Sequence, residues 1–588
     1  MEGPVTESKG RTKTRMSSWQ RWTMVAVVLG SGIVFLDTSV VNLALPTIGR
    51  EVPSPWLDFA ALEAQSYVTN GYFLTLSALL ILAGALTDFY GRKKMFALGL
   101  IGFLLTSLLC AVAPNMELLI LFRILQGAAG ALVVPGSLSI ITASFEGEEQ
   151  GRAFGLWAGA SAATTILGPF VGGVLVNSIS WRAAFFINVP ALLIAIYATR
   201  RGVPETRDEE STGKFDWFGS LVVALAVGGL AFGTIRGQQT NWQGVEAFVA
   251  LAIGAVATVA FPIMMLKRGN PLVPPSMFRS RNFTVTNIGT FVIYGALYVF
   301  ITFQGLFLIG TLGYNEPAAG IAGLPATLFL VLFSTRFGKL AARYGPRLFM
   351  SLGPAIMAFG LLYLARFPAG SEPWVLGTGP GESILPPADY FVDLLPSLLV
   401  FGSGLMMMVA PLTTALMTSV PKHNSGVASA INNAVSRVGS PLVTAVIFVA
   451  VVSSFYGSIQ DRVPGADTSS PQFRRQVSPL NPPEAGADPM VVQAAREAST
   501  ESFHLAVLVA AGLMLIGAAV HGFGIRNPRR LTEERAVAEP AEPEEGAPRG
   551  VPAARRVDTI PEDVPCLPVP QPTALPGDAR MHHESGGS

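Results

Sequence analysis

Gly84-Ala-Leu-Thr-Asp-Phe-Tyr-Gly-Arg-Lys93 and Gly338-Lys-Leu-Ala-Ala-Arg-Tyr-Gly-Pro-Arg347 are two versions of one segment. They agree in type at five of ten positions: both glycines, the Leu, the Tyr and the closing cation. A fainter echo links Gln126–Pro135 to Gly402–Pro411, and Gly151 and Gly426 then open the next apolar run in each copy. Crossing a bilayer core about 30 Å thick takes about 20 mostly apolar residues in a helix. Fourteen runs of that length are present, the first Trp22–Pro46 and the last Phe503–Ile525. The paired segments follow the second and fourth runs of a set beginning at Trp22, and the second and fourth of a set beginning at Phe283. The chain therefore reads as an all-α polytopic membrane protein of two six-helix bundles. Two extra helices, Phe215–Ile235 and Val245–Leu266, are inserted between them.

Composition points the same way. Half of the 588 residues are apolar and only 13% are charged, against about 25% charged in soluble domains. Forty Lys and Arg against 39 Asp and Glu leave a net charge of +1, no electrostatic footprint for nucleic acid. The two cysteines, Cys110 and Cys566, have neither the spacing of a metal site nor the number of a disulfide framework. No phosphate-binding loop, His-Glu-x-x-His or nucleophile elbow occurs in a suitable context. Neither an enzyme nor a resident cofactor or metal is expected.

Short cytoplasmic loops collect Lys and Arg. With the amino terminus inside, the inner segments hold 24 of them, and the short outer loops hold only Arg50, Arg182, Arg236 and Arg366. Both termini are expected to be cytoplasmic. The chain divides into a basic leader (1–21), a first bundle (22–200), the inserted helices with their linkers (201–282), a second bundle (283–526) and a tail (527–588). Within the second bundle, the Pro-rich outer loop 456–502 is expected to cover the outer mouth. A helix is expected near Val491–Thr500, and the central part, 460–488, to be dispensable for folding. The tail holds 11 prolines and almost no aliphatic periodicity, so it is expected to be disordered.

Asp37 lies within the first apolar run, about nine residues or roughly 13 Å from Pro46. A carboxyl group there is costly unless paired or protonated, and by default marks an ion or proton pathway. Arg123, in the fourth run, lies at comparable depth. Burial favours the neutral acid and a nearby Arg123 favours the carboxylate, so a change in their separation would switch proton occupancy. The competing assignment is a static ion pair that fixes two helices. Asn432, Asn433 and Arg437 fall near mid-membrane in the thirteenth run, candidates for a polar lining. Phe35 and Trp157, with Phe291, Tyr294 and Met406–Met408, could line an adaptable apolar pocket, although core packing is the commoner role for any one of them.

Four segments in order carry a family likeness. Leu36-Asp37-Thr38 through Asn42 to Pro46 resembles the first-helix signature of the fourteen-helix drug:proton antiporters (EmrB/QacA type) of the major facilitator superfamily. Gly84 to Lys93 is similar to the superfamily's loop motif, Leu121-Phe-Arg123-Ile-Leu-Gln126-Gly127 to its fourth-helix arginine motif, and Gly168-Pro169-Phe-Val-Gly172-Gly173 to its fifth-helix antiporter motif. Phe215-Asp216-Trp217-Phe-Gly219 is a further similarity. The resemblance spans roughly residues 20–526. It implies a bacterial plasma-membrane protein, working as a monomer among lipids, that exports lipophilic small molecules by alternating access in exchange for protons. It also implies a gate at Gly84, Asp88, Gly91, Arg92 and Lys93, and a proton-tight seam at Gly168, Pro169, Gly172 and Gly173. Where some family members recognise cations through acids in helices ten or thirteen, this chain has none. Anionic, neutral or monocationic substrates fit better than dications. Two alternatives stay open, export of an endogenous lipid, antibiotic or metabolite, and a non-transporting sensor or scaffold.

Overall fold

In the computed structural model, residues 16–56, 61–207, 214–239, 242, 244–377, 379, 381–482 and 488–527 are described. Most of the leader and the tail 528–588 lie outside them. The described residues contain helices and connections and no strand. The first bundle comprises α1 (Ser18–Glu51), α2 (Ala61–Tyr90), α3 (Arg92–Ala111), α4 (Met116–Ser144), α5 (Gly147–Ser178) and α6, which is broken at Ile187 into Ala183–Phe186 and Asn188–Gly202. The inserted pair is α7 (Trp217–Gln239) and α8 (Val245–Lys267). The second bundle comprises α9 (Arg281–Leu312), α10 (Glu316–Tyr344), α11 (Pro346–Leu364), α12 (Tyr390–Thr418), α13 (Ser425–Arg462) and α14 (Pro489–Gly524). Thirteen of these helices are long and apolar enough to cross a membrane. The remaining expected span is α5, 32 residues diluted with Gly, Ala, Ser and Thr.

Two boundaries differ from the sequence-based expectation. The α1 helix starts at Ser18, inside the supposed leader, because Ser17 and Gln20 form a reciprocal capping box. It also runs through Pro46 to Glu51, so Asp37 is about fourteen residues, or roughly 21 Å, from its far end. A proline removes one backbone hydrogen bond, and here the helix resumes beyond it.

The repeated segment makes the same tight corner twice. Gly91 joins α2 to α3 at φ 111° and Gly345 joins α10 to α11 at φ 90°, a backbone region that side chains with a Cβ rarely adopt. In the first bundle α1 packs on α5 and α6, and α4 on α2 and α3; in the second, α9 packs on α13 and α14, and α12 on α10 and α11. The halves meet crosswise, α2 on α13 and α5 on α10. The inserted α7 lies against α2 and α13, and α8 against α7 through the close Gly229–Gly254 crossing.

The Pro-rich loop is built into the second bundle. α13 and α14 extend into it as a helical pair, joined by Arg462 to Glu497 at 3.2 Å and to Glu501, over a core of Phe455, Ile459, Val477 and Ala498. Between them Leu480 is buried, its N–H donates to Ser499 Oγ at 3.1 Å, and its carbonyl sits where a Cβ on Gly310 would be 2.0 Å away. Within segment 460–488, Val477 and Leu480 thus supply packing to the helical pair and to α9, which speaks against the expected dispensability of that segment.

Candidate functional site

Asp37 and Arg123 do meet. Arg123 Nη1 donates to Asp37 Oδ2 at 2.6 Å, both side chains almost fully buried. Asp37 Oδ1 also accepts from Gln126 Nε2 at 3.2 Å and Asn188 Nδ2 at 2.8 Å, and both amides donate as well to Ser107 Oγ. Helices α1, α3, α4 and α6 thus converge on one carboxylate. Arg123 has further acceptors of its own: Gln126 Oε1 at 2.6 Å, the Val68 carbonyl at 3.3 Å and the Tyr72 ring 4.2 Å from its guanidinium carbon. The guanidinium therefore does not depend on Asp37 alone. A buried cation stripped of its only partner would be strongly destabilising.

Gln126 stands in the quoted arginine motif, one turn from Arg123, yet its role as the bridge between acid and base was not read from it. Asn188, Ser107 and Tyr72 are likewise not singled out by the sequence. The available signal was each polar group's place inside an apolar run. Nothing in the sequence pairs Asn188 with a residue 151 positions away.

The second constellation joins the bundles. Asp88, at the end of α2, accepts from the Gly426 N–H at 3.1 Å and the Val427 N–H at 2.9 Å, capping the amino terminus of α13, where the helix dipole favours a negative charge. Arg92 lies 3.5 Å from Asp88 and donates to the Lys422 carbonyl, and Ser139 of α4 meets Ser425 at 2.8 Å. Gly84 makes the approach possible: a Cβ there would lie 2.4 Å from the Gly426 carbonyl oxygen. Lys93 is not in this contact. Its N–H donates to Glu205, in the linker after α6, at 3.1 Å and its Nζ to the Arg200 carbonyl at 3.4 Å, neither of them in the second bundle.

The third sits between α1 and α5. A Cβ on Gly168 would come 2.3 Å from Ser39 Cβ, and one on Gly32 would come 3.1 Å from Thr164. Gly172 is buried. For Pro169 and Gly173 the structure gives only their place in α5; their surroundings lie outside the described residues.

The remaining candidates divide. Asn432 is tied to α9, donating to Thr290 at 2.8 Å and Asn287 at 3.2 Å, and Asn433 donates back to the Ser429 carbonyl at 3.0 Å. Arg437 is half-buried. Phe35 packs against the first-half core, and Trp157 is buried with its indole N–H unpartnered among the described residues. Phe291 packs over Gly439, Tyr294 against the second-half core, and Met408 is fully buried.

Two pseudo-repeated helical bundles, closed on each other at one end and holding a sealed acid–base cluster, define a membrane transporter fold of the two-half type. The chain belongs to the Major Facilitator Superfamily, whose family model matches residues 27–444. It is 31% identical to the multidrug resistance protein Stp of Mycobacterium tuberculosis over 435 residues, 74% of this chain and 76% of that one. It is 29% identical to the tetracenomycin C resistance and export protein of Streptomyces glaucescens over 513 residues, 85% and 90% of the two chains. Among solved structures, the human organic anion transporter MFSD10 superposes with a TM-score of 0.53 at 12% identity, covering 86% of this chain and all of that one, a likeness of fold.

Proposed function

We propose that this protein is a proton-coupled efflux antiporter that exports lipophilic or amphipathic small molecules, drugs or antibiotics among them, by alternating access. Its relatives named for multidrug resistance and for antibiotic resistance and export support the cargo class. The observation that carries the coupling is the Asp37 cluster, in which Arg123 has Gln126, Val68 and Tyr72 as partners besides the acid. The face bearing the α2–α3 loop is the cytoplasmic one, with both termini on it, in a bacterial plasma membrane. The Asp88–Gly426 contact then closes the cytoplasmic side, and its opening would admit substrate. Exposure of Asp37 to the outer medium would load the proton, and its release would follow inward opening. The working unit is a monomer.

The test is drug-driven proton movement in proteoliposomes. Asp37→Asn is nearly isosteric and cannot carry the proton, although it replaces one of the two acceptor oxygens, which take hydrogen bonds from Arg123 and from Gln126 and Asn188, with an NH2 donor. The expected variant still binds and equilibrates substrate but moves no protons with it. Full coupling in Asp37→Asn would overturn the proposal.

A further inference from the structure

Arg437 is, among the described residues, a cation with no anion beside it: no carboxylate lies within ion-pair distance. It stands eleven residues, or about 16 Å, along α13 from Gly426, well into the span. Its direction follows from its neighbours. Gly426, Ala430, Asn433 and Arg437 recur at four-, three- and four-residue steps, one face of a helix. The first two press on Gly84 of α2. The opposite side of α13 is occupied by α9, through Asn432 on Thr290 and Gly439 on Phe291. Arg437 therefore faces the seam between the bundles, within electrostatic reach of the Tyr72 hydroxyl, whose ring carries Arg123. An ionisable group at this depth needs a partner or a wet cavity. The first bundle's charges, Asp37 and Arg123, already neutralise each other.

We infer that Arg437 is the recognition group for an anionic substrate, so that the preferred cargo is a lipophilic compound carrying one negative charge. This rests on the export reading above and narrows it. It has an energetic consequence. A proton moving in and an anion moving out carry charge in the same sense, two elementary charges per one-for-one cycle. At 100 mV each charge supports about a fiftyfold gradient, so an anion would be driven to about 2,500-fold and a neutral molecule to about fiftyfold.

The full chain in proteoliposomes can be offered three pyrene probes of matched size: 1-pyrenesulfonate, 1-pyrenemethanol and (1-pyrenylmethyl)trimethylammonium. The sulfonate is expected to bind about tenfold or more tighter than the ammonium. Arg437→Gln should remove that preference while changing the alcohol less than about twofold, and Arg437→Lys, which keeps the charge, should restore most of it. Sulfonate transport should respond to an imposed potential twice as steeply as alcohol transport. Equal affinity for sulfonate and ammonium, or a sulfonate preference that survives in Arg437→Gln, would overturn the inference. Proton-coupled movement of the alcohol or ammonium but not the sulfonate would remove the anion and leave the exporter. No proton-coupled movement of any probe would remove the export reading, and the inference with it.

Discussion

The two seams between the bundles are copies that differ at one chemically decisive position. Where α2 meets α13, a Cβ on Gly84 would lie 2.4 Å from the Gly426 carbonyl oxygen; where α10 meets α5, one on Gly338 would lie 2.2 Å from that of Gly151. The sterics are the same. The polar contacts are not. Asp88 caps α13 and holds Arg92, whereas the equivalent position of the second copy is Ala342, and that seam is tied by Ser334 Oγ donating to the Gly155 carbonyl at 2.8 Å. Close approach is thus a property of both halves, and charge belongs to one. A seam held by glycine contact and one neutral hydrogen bond has little to lose when the helices slide. A seam that also buries a carboxylate against helix N–H groups loses those charge-assisted bonds on opening, and so responds to whatever neutralises or competes for the carboxylate.

The largest effects should come from breaking what the seams share. Gly84→Val and Gly338→Val each force side-chain atoms into a backbone carbonyl, overpacking that costs about 3 kcal/mol or more against the closed state, or about a hundredfold in its population. Spin-label distances across the α2–α3 face should lengthen in both variants to a similar degree. Unequal lengthening would mean that the copies do not bear closure equally.

Much of this pairing is legible in the sequence. Fourteen apolar runs and the Gly84/Gly338 echo gave the two halves, and Gly91 and Gly345 take the positive φ that a tight corner between antiparallel helices requires. Asp37 and Arg123 are also singled out by their places inside apolar runs, although the depth assigned to Asp37 rests on a helix end at Pro46 that α1 runs past. What sequence periodicity does not contain is which side chains face one another across bundles. The amide partners Gln126 and Asn188 look like ordinary polar residues in apolar runs. The break at Ile187 that presents Asn188 carries no Gly, and Pro190 sits where a helix start tolerates it. Leu480 becomes a buried plug only because Gly310, 170 positions earlier, leaves room for its carbonyl. Lys93 shares a motif with Asp88, but its Nζ reaches the Arg200 carbonyl instead, a choice set by tertiary geometry alone.

The middle-sized effect isolates the difference between seams. Asp88→Ala removes an acceptor from the Gly426 and Val427 N–H groups and from Arg92, bonds to a charged group worth about 1.5–3 kcal/mol net. The closed population should fall about tenfold or more, with the Gly84 contact sterically intact. The reverse graft, Ala342→Asp, should build no second latch. The space is taken, since a Cβ on Gly151 would already lie 3.0 Å from Ala342 Cβ, and Glu148 and Glu149 occupy the first turn of α5. Thermal unfolding in detergent should show Ala342→Asp destabilised. A stabilised variant with a tighter α5–α10 distance would show that polarity can be moved between the copies.

The smallest effect belongs to the pair at the rim of the charged seam, Lys422 with Glu146. A hydrogen bond and the adjacent charge of Lys422 hold the Glu146 carboxyl below its ordinary range, with both side chains exposed. The sign follows from that direction. A depressed carboxyl contributes to the closed form above the ordinary glutamate range and loses that contribution as pH falls through its lowered value. At neutral pH the contribution is fully present, and solvent and salt screen it. Glu146→Gln should therefore change the closed population by less than about twofold at low salt and not at all in about 1 M salt. Acidification should shrink the difference between wild type and variant, because any effect at Asp88 is common to both. A large, salt-insensitive loss in Glu146→Gln would place the latch at this rim rather than at Asp88.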